Sequence, residues 1–227
     1  MVSSKQTKFI IIMASVCCLL MCFIDGVIIP PYFIKSVFKL ILFLAVPIGY
    51  FIVNKSERGT LRKLFSPNKK GFLISLGLGI AVFAVIISAY FAFRGIYDFS
   101  GITAQLTGDI GVNKDNFIFV ALYISFINSL LEEFFFRGFA FLCLKDKIPK
   151  WSAYALSSAL FAFYHAGMTS GWFNPLLYIL MMLGLFIGGC IFNFLNEKCE
   201  NIYPSWLVHM FANFGINTIG CILFGII

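Results

Sequence analysis

The sequence predicts an all-α fold: a polytopic membrane helix bundle of about seven or eight transmembrane helices. Of the 227 residues, 60% are hydrophobic and only 12% are charged. The charged residues cluster between long apolar runs, and a helix needs about 20 apolar residues to cross the hydrocarbon core of a bilayer. No polar block is long enough for a separate soluble domain. Residues 1–227 are therefore expected to form one membrane domain, with the lipid bilayer as its surroundings.

The first two predicted spans form the N-terminal part of the bundle. The first covers Phe9 to Ile24, and we interpret it as a retained span because no small-x-small cleavage site follows its apolar region. The second comes after the break at Pro30-Pro31 and ends near Val53. Lys35 and Lys39 lie close to its outer end, so their side chains are expected to extend to the membrane surface.

Two basic connections predict the orientation of the chain. Residues 54–70 carry six lysines and arginines against one glutamate, and residues 145–150 carry three lysines against one aspartate. Short loops of this kind are retained on the cytoplasmic side, so both loops and the N-terminus are predicted to be cytoplasmic in a multi-pass protein of the cell membrane. The net charge of +7 is thereby explained by topology, and no nucleic-acid partner is predicted.

The remaining spans follow in order along the chain. The third covers about residues 72–93, and after an outer connection over residues 94–116 the fourth begins near Phe117. The last three are expected over residues 151–166, 175–195 and 205–227. The seven cysteines lie mostly inside apolar runs without metal-ligand spacing, so they are interpreted as small apolar residues.

Three charged residues interrupt the apolar, aromatic run of the fourth span. Glu132, Glu133 and Arg137 lie in this run, and each charge inside a membrane costs about 2.5 to 3.5 kcal/mol, so they are expected to face protein and to have partners. Glu133 and Arg137 lie four residues apart with the glutamate first, the favourable order for a helical ion pair. This pairing leaves Glu132 unpaired, on a face that it shares with Asn128. The alternative is a buried network of all three charges that only holds helices together.

The two histidines of the chain lie in the predicted fifth and seventh spans. Phe161 and His165 are one helical turn apart on one face. In the seventh span, polar residues recur every four positions and must face the interior of the bundle: Ser205, His209, Asn213 and Asn217. Interhelical hydrogen bonding is one interpretation of this stripe. A carboxylate without a partner and two histidines on three spans are also the minimal set for general-base activation of water and for binding an oxyanion.

The two histidines are predicted at different depths. At about 1.5 Å per residue, His165 lies about 20 Å along its helix from the basic loop, whereas His209 lies about 6 to 9 Å from the start of its own helix. Tilted helices, a fifth span whose first turns lie above the membrane plane, or a connection near residues 197–204 that dips into the protein could each bring them to one site.

Three motifs, in order on separate predicted helices, resemble those of the CAAX-protease and bacteriocin-processing family of intramembrane endopeptidases, also called CPBP or Abi. They are Glu132-Glu133-x-x-x-Arg137, Phe161-x-x-x-His165 and His209-x-x-x-Asn213. The resemblance covers residues 128–217 and divides the domain into N-terminal spans and loops, 1–116, and a catalytic four-helix core, 117–227.

This resemblance implies roles for the motif residues. Glu132 would activate water with help from His165, while His209 and Asn213 would stabilise the tetrahedral oxyanion. The supporting residues would be Glu133, Arg137 and Phe161. The implied activity is a peptidase without a cofactor that acts on a membrane-associated peptide or protein, in peptide maturation or in self-immunity against bacteriocins.

Two alternatives stay open from the sequence. Glu132, His165 and His209 could bind zinc in a metallopeptidase, since two histidines and a carboxylate are a known catalytic zinc set, although the chain has no His-Glu-x-x-His helix. The other alternative is a membrane immunity or regulatory protein that is not an enzyme and keeps the motifs for packing.

Overall fold

The computed structural model describes residues 4–67, 69–169 and 171–227. Helices without any strand make up this described part, which confirms the predicted all-α class. Counting π-helical stretches with the helices that they continue, its nine helices are α1 Ser4–Ile28, α2 Tyr32–Val53, α3 Arg58–Leu64, α4 Lys69–Phe93, α5 Ser100–Ile110, α6 Phe117–Leu142, α7 Lys150–Met168, α8 Pro175–Cys199 and α9 Tyr203–Leu223.

Six helices of the described part are long and apolar enough to cross a membrane: α1, α2, α4, α6, α8 and α9. The predicted number of seven or eight spans is therefore approximate. The predicted fifth span corresponds to α7, which is not among the six. α7 packs against α1, α8 and the second half of α6. Its Ser157 and Ser158 are wholly buried. Hydrogen bonds to neighbouring helices compensate for this burial, since Ser157 donates to the carbonyl of Phe136 and Ser158 accepts from Asn193.

The helical hairpin of α1 and α2 turns at the two prolines. Ile29, before them, adopts a left-handed conformation with φ of 48°, and prolines disfavour a continuing helix at the residue that precedes them. At the other end of the hairpin, Gln6 donates to Asn54 over 3.0 Å. The two helices are therefore antiparallel neighbours.

The expectation that Lys35 and Lys39 extend to the membrane surface is wrong. Their exposed fractions are only 4% and 5%. The Nζ atom of Lys35 lies 3.0 Å from Oδ1 of Asp25, and that of Lys39 lies 3.2 Å from Oε1 of Glu132. Buried charges are tolerated when they are paired. These partners, which the span boundaries do not reveal, keep both lysines inside the protein.

An aromatic core holds α2 against α6 and α7. The ring of Phe43, on α2, stacks on Phe135 at a centroid distance of 4.1 Å and meets Tyr164 edge-on at 5.2 Å. All three side chains are fully buried. Offset-stacked and edge-to-face pairs add to the free energy of burial. This packing places the charged face of α2 next to the motif residues of α6.

Glycines allow α1 and α7 to touch backbone to backbone. A Cβ atom on Gly167 would meet the carbonyl oxygen of Cys22, and one on Gly26 would lie 3.2 Å from Cα of Gly167. Small residues permit such close approaches between helices in membranes. Because Gly167 lies two residues after His165, this contact also fixes the position of the end of α7 that carries His165.

The connection between α8 and α9 dips into the protein, one of the arrangements that the sequence predicts to bring the two histidines to one site. Asn201 and Ile202 are 1% and 0% exposed. The backbone nitrogen of Ile202 donates to the carbonyl of Leu64, at the end of α3, over 3.1 Å. α9 then starts inside the bundle, since Ser205 accepts from Asn196 over 2.6 Å. His209 therefore lies deeper than its short distance from the start of the helix predicts.

Candidate active site

The carboxylate of Glu132, on α6, lies at the centre of the site and is 2% exposed. Its Oε1 atom accepts hydrogen bonds from Asn128 at 2.8 Å, Tyr164 at 3.1 Å and Lys39 at 3.2 Å. Three donors on one oxygen fix the orientation of the carboxylate. The prediction that Glu132 is unpaired is wrong, because α2 supplies a cation that no local pattern on α6 reveals.

The second oxygen of Glu132 faces both histidines. Oε2 lies 3.9 Å from Nε2 of His165 and 3.8 Å from Nε2 of His209. These distances exceed a direct hydrogen bond and suit a bridging water. The structure thus brings together a carboxylate oxygen and two imidazole nitrogens from α6, α7 and α9.

The hydrogen bond of His165 defines its tautomer. Its Nδ1 lies 2.7 Å from the carbonyl oxygen of Phe161, and a carbonyl oxygen only accepts, so Nδ1 carries the hydrogen. In the neutral imidazole the lone pair is then on Nε2, the atom that faces Glu132. His165 can therefore accept a hydrogen bond or a proton at the side of the ring that faces the carboxylate.

Glu133 orients His209. Its Oε1 lies 2.9 Å from Nδ1 of His209 and 3.3 Å from Nη1 of Arg137, while its Oε2 accepts from the hydroxyl of Ser205. An ionised carboxylate only accepts, so Nδ1 of His209 carries the hydrogen and Nε2 faces Glu132. The helical ion pair between Glu133 and Arg137 is present as the spacing predicts.

Aromatic rings enclose the guanidinium of Arg137, which is fully buried. Its central carbon lies 4.1 Å from the ring centre of Phe161 and 4.9 Å from that of Phe192. Cation–π contacts of this kind are strongest where water is excluded. The ring of Phe161 also meets His165 at 4.7 Å and His209 at 5.9 Å. Phe161 thus packs between the cation and both histidines.

The polar stripe of α9 faces α6 along its length. Ser205 and His209 contact Glu133, and Asn217 donates to Ser125 over 3.0 Å. Asn213 donates to the carbonyl of Ile124 over 3.2 Å. One of its two amide hydrogens is therefore used, which leaves the other for a further acceptor. Asn213 lies one turn beyond His209, next to a π-helical stretch of α6 that covers Ile124–Asn128.

The buried charges around the site form three ion pairs: Asp25 with Lys35, Glu132 with Lys39, and Glu133 with Arg137. Their nitrogen–oxygen distances are 3.0, 3.2 and 3.3 Å. Three positive and three negative charges cancel, so the cluster is neutral when both histidines are neutral. Burial of so many charges is tolerated only with such pairing.

Sequence reasoning missed Lys39, Lys35, Asp25 and Tyr164. The available signal was an ionisable residue inside a predicted span, which by default indicates a functional site. For the two lysines, their closeness to the end of a span favoured the snorkelling interpretation. Tyr164 carried no signal, since a tyrosine in an aromatic helix is ordinary. Among the described residues, no group of three histidine, cysteine, aspartate or glutamate side chains is arranged to hold a metal ion.

The helices and their apolar surfaces define a multi-pass membrane protein. Residues 114–215 match the family model described as type II CAAX prenyl endopeptidase Rce1-like. The match confirms the resemblance predicted from the three motifs, and it supports a protease, and hence a hydrolase. It covers less than half of the chain and leaves α1, α2 and α4 outside. No curated protein and no solved structure matches the chain.

Proposed function

We propose that this protein is an intramembrane endopeptidase that hydrolyses a peptide bond with water activated by Glu132 and His165. The main support for the proposal is that the two oxygens of the Glu132 carboxylate have different surroundings. Oε1 of Glu132 is held by three donors, whereas Oε2 faces Nε2 of both histidines within 3.9 Å. A carboxylate fixed by one oxygen and open at the other is suited to take a proton from a positioned water.

The proposed reaction begins with a water that donates one hydrogen to Oε2 of Glu132 and the other to Nε2 of His165. The water oxygen attacks the carbonyl carbon of the substrate while its proton passes to Glu132, and a tetrahedral oxyanion forms. The C–N bond then breaks as Glu132 returns the proton to the leaving nitrogen. The products are a carboxylic acid, which keeps the second hydrogen of the water, and an amine; the proton of the acid then passes to the amine, which gives a carboxylate and an ammonium ion, and the enzyme regains its starting protonation.

The oxyanion needs donors, and His209 and Asn213 are the proposed ones. Because Nδ1 of His209 carries a hydrogen toward Glu133, Nε2 donates only when the imidazole is protonated. The carboxylate of Glu133, 2.9 Å from Nδ1, holds the ring so that Nε2 faces the site. The remaining amide hydrogen of Asn213 supplies the second donor. Preorganised donors of this kind contribute through the charge that develops in the transition state.

The substrate is proposed to be a membrane-associated peptide or protein that is cut on the cytoplasmic side, in peptide maturation or bacteriocin self-immunity. Contacts between the basic loops support the side of the cut. Lys147 lies 2.6 Å from Glu57, and Lys145 lies 2.8 Å from Glu200. Both basic loops therefore lie at the end of the bundle that also holds the connection between α8 and α9, and His209 is the seventh residue of α9. Basic loops favour the cytoplasmic side.

A comparison of membrane-protein termini in host cells tests this function. Cells that carry the natural chain are compared with cells in which Glu132→Gln replaces it at the same expression level. Chemical labelling and mass spectrometry of the membrane fraction are expected to find new termini at cytoplasmic positions only with the natural chain. Identical sets of termini in the two strains would contradict the proposal and favour the interpretation of the motifs as packing alone. New termini on the external side would contradict the orientation.

A further inference from the structure

The helical hairpin that precedes the family match places a lysine in the candidate active site. The Nζ atom of Lys39 lies 2.7 Å from Oδ1 of Asn128 and 3.2 Å from Oε1 of Glu132. It also lies 4.8 Å from the ring centre of Tyr164. Lys39 is on α2, outside residues 114–215 that match the family model. None of the three motifs includes it.

Stability alone does not explain a buried lysine at this place. A buried ion pair is weak evidence for stability, because desolvation offsets the attraction, and apolar replacements of both partners are often neutral or stabilising. Intramembrane ionisable residues indicate function by default. Lys39 contacts Glu132 and also Asn128 and the ring of Tyr164, the two residues that donate to the same oxygen. Its effect therefore falls on that carboxylate.

We propose that Lys39 is a positioning residue for the general base, holding Oε1 of Glu132 so that Oε2 faces the water and the histidines. This inference rests on the proposed function. The positive charge of Lys39 stabilises the ionised carboxylate, and its bond to Asn128 stops the ammonium group from swinging away. The N-terminal hairpin thus completes a site whose other members come from the C-terminal half.

The neighbouring ion pair leaves the charge of Lys39 available to Glu132. Lys35 lies one helical turn before Lys39, and its own charge is balanced by Asp25 at 3.0 Å. The chain next to Asp25 is anchored, since Gly26 packs directly on Gly167. The hairpin is therefore held against the end of α7, close to His165, and Lys39 is presented from a fixed backbone.

The test measures turnover by purified protein in vesicles against a peptide whose cleavage by the natural chain has been established. Lys39→Met keeps most of the length and removes the charge. Because misplacing a catalytic group can cost about 10²-fold, we expect kcat per folded molecule to fall by about that factor with KM within about twofold. Lys39→Arg keeps the charge and should retain most of the turnover. The matched control, Glu57→Gln with Lys147→Met, removes a mostly buried ion pair of the basic loops that lies outside the site, and it should keep kcat near that of the natural chain.

Chemical rescue distinguishes a positioning role of Lys39 from a packing role, and it provides a second test if the Lys39→Met variant does not fold. In Lys39→Ala, propylammonium is expected to restore several-fold more turnover than n-propanol, which fills a similar volume without charge. A folded Lys39→Met variant with natural kcat, or equal rescue by the alcohol and the amine, would overturn the positioning role. If Glu132→Gln is also active, or if the natural chain cuts no peptide, the proposed function fails and the inference fails with it.

Discussion

Replacing Glu132 by glutamine is expected to abolish peptide hydrolysis by the purified protein. Glutamine keeps the shape of the side chain, and its carbonyl oxygen can still accept from Asn128 and Tyr164, but it cannot take a proton from water. The change also leaves Lys39 buried without its carboxylate, and breaking a buried ion pair costs about 3 to 5 kcal/mol. We therefore expect lower thermal stability together with the loss of turnover.

A double variant separates the two effects. Glu132→Gln with Lys39→Met leaves no stranded charge, so it should regain most of the lost stability and remain inactive. Turnover is measured per folded molecule, with the folded fraction taken from size-exclusion chromatography and thermal denaturation. Full activity of the single variant against a confirmed substrate would show that Glu132 is not the base. Recovery of activity in the double variant would support the packing network instead.

Glu133→Gln is the comparison on the adjacent residue. It strands Arg137 and removes the carboxylate that orients His209. Its main expected effect is a lower yield of folded protein, because Arg137 is fully buried. The molecules that fold should keep measurable turnover, since Glu132 and His165 still face each other.

Asn213→Ala is expected to lower turnover by about 10² to 10³, the usual effect of removing one donor to an oxyanion. The natural side chain uses one amide hydrogen on the carbonyl of Ile124 at 3.2 Å, and the other is the proposed donor to the oxyanion. Binding should change little, because the donor acts mainly in the transition state, so KM should stay near its natural value.

Asn217→Ala is the matched control for this loss. Asn217 lies one turn further along the same stripe and also donates to α6, to Ser125 at 3.0 Å and to the carbonyl of Ala121 at 3.1 Å. Removing it costs similar interhelical hydrogen bonds without touching the proposed oxyanion site. Equal losses of turnover in the two variants would show that the asparagines act through helix packing.

Local pairs in the site could be predicted from the sequence, because helix geometry fixes them. Glu133 with Arg137, and Asn128 with Glu132, are each four residues apart, and both contacts are present. The inward-facing stripe of α9 follows from the same spacing. Such contacts depend on 3.6 residues per turn and on nothing distant in the chain.

Contacts between distant segments could not be predicted in this way. Lys39 meets Glu132 across more than ninety residues, and this depends on how Phe43 packs between α6 and α7. The depth of His209 depends on a buried connection capped by Leu64. In each case tertiary packing decides, and a hydropathy pattern carries no information about it.

If protein groups alone activate the water, the purified enzyme needs no metal, and its metal content measured beside its activity decides whether this holds. Zinc would lower the pKa of its bound water to about 7, and the site would fail without it. The zinc alternative would use the same three residues, Glu132, His165 and His209, although no such group of side chains in the described part of the chain is arranged to hold a metal ion. We predict that purified protein is active with far less than one zinc per chain and keeps its activity through prolonged chelation. About one zinc per chain, with activity that chelation removes and added zinc restores, would contradict the claim and establish a metallopeptidase.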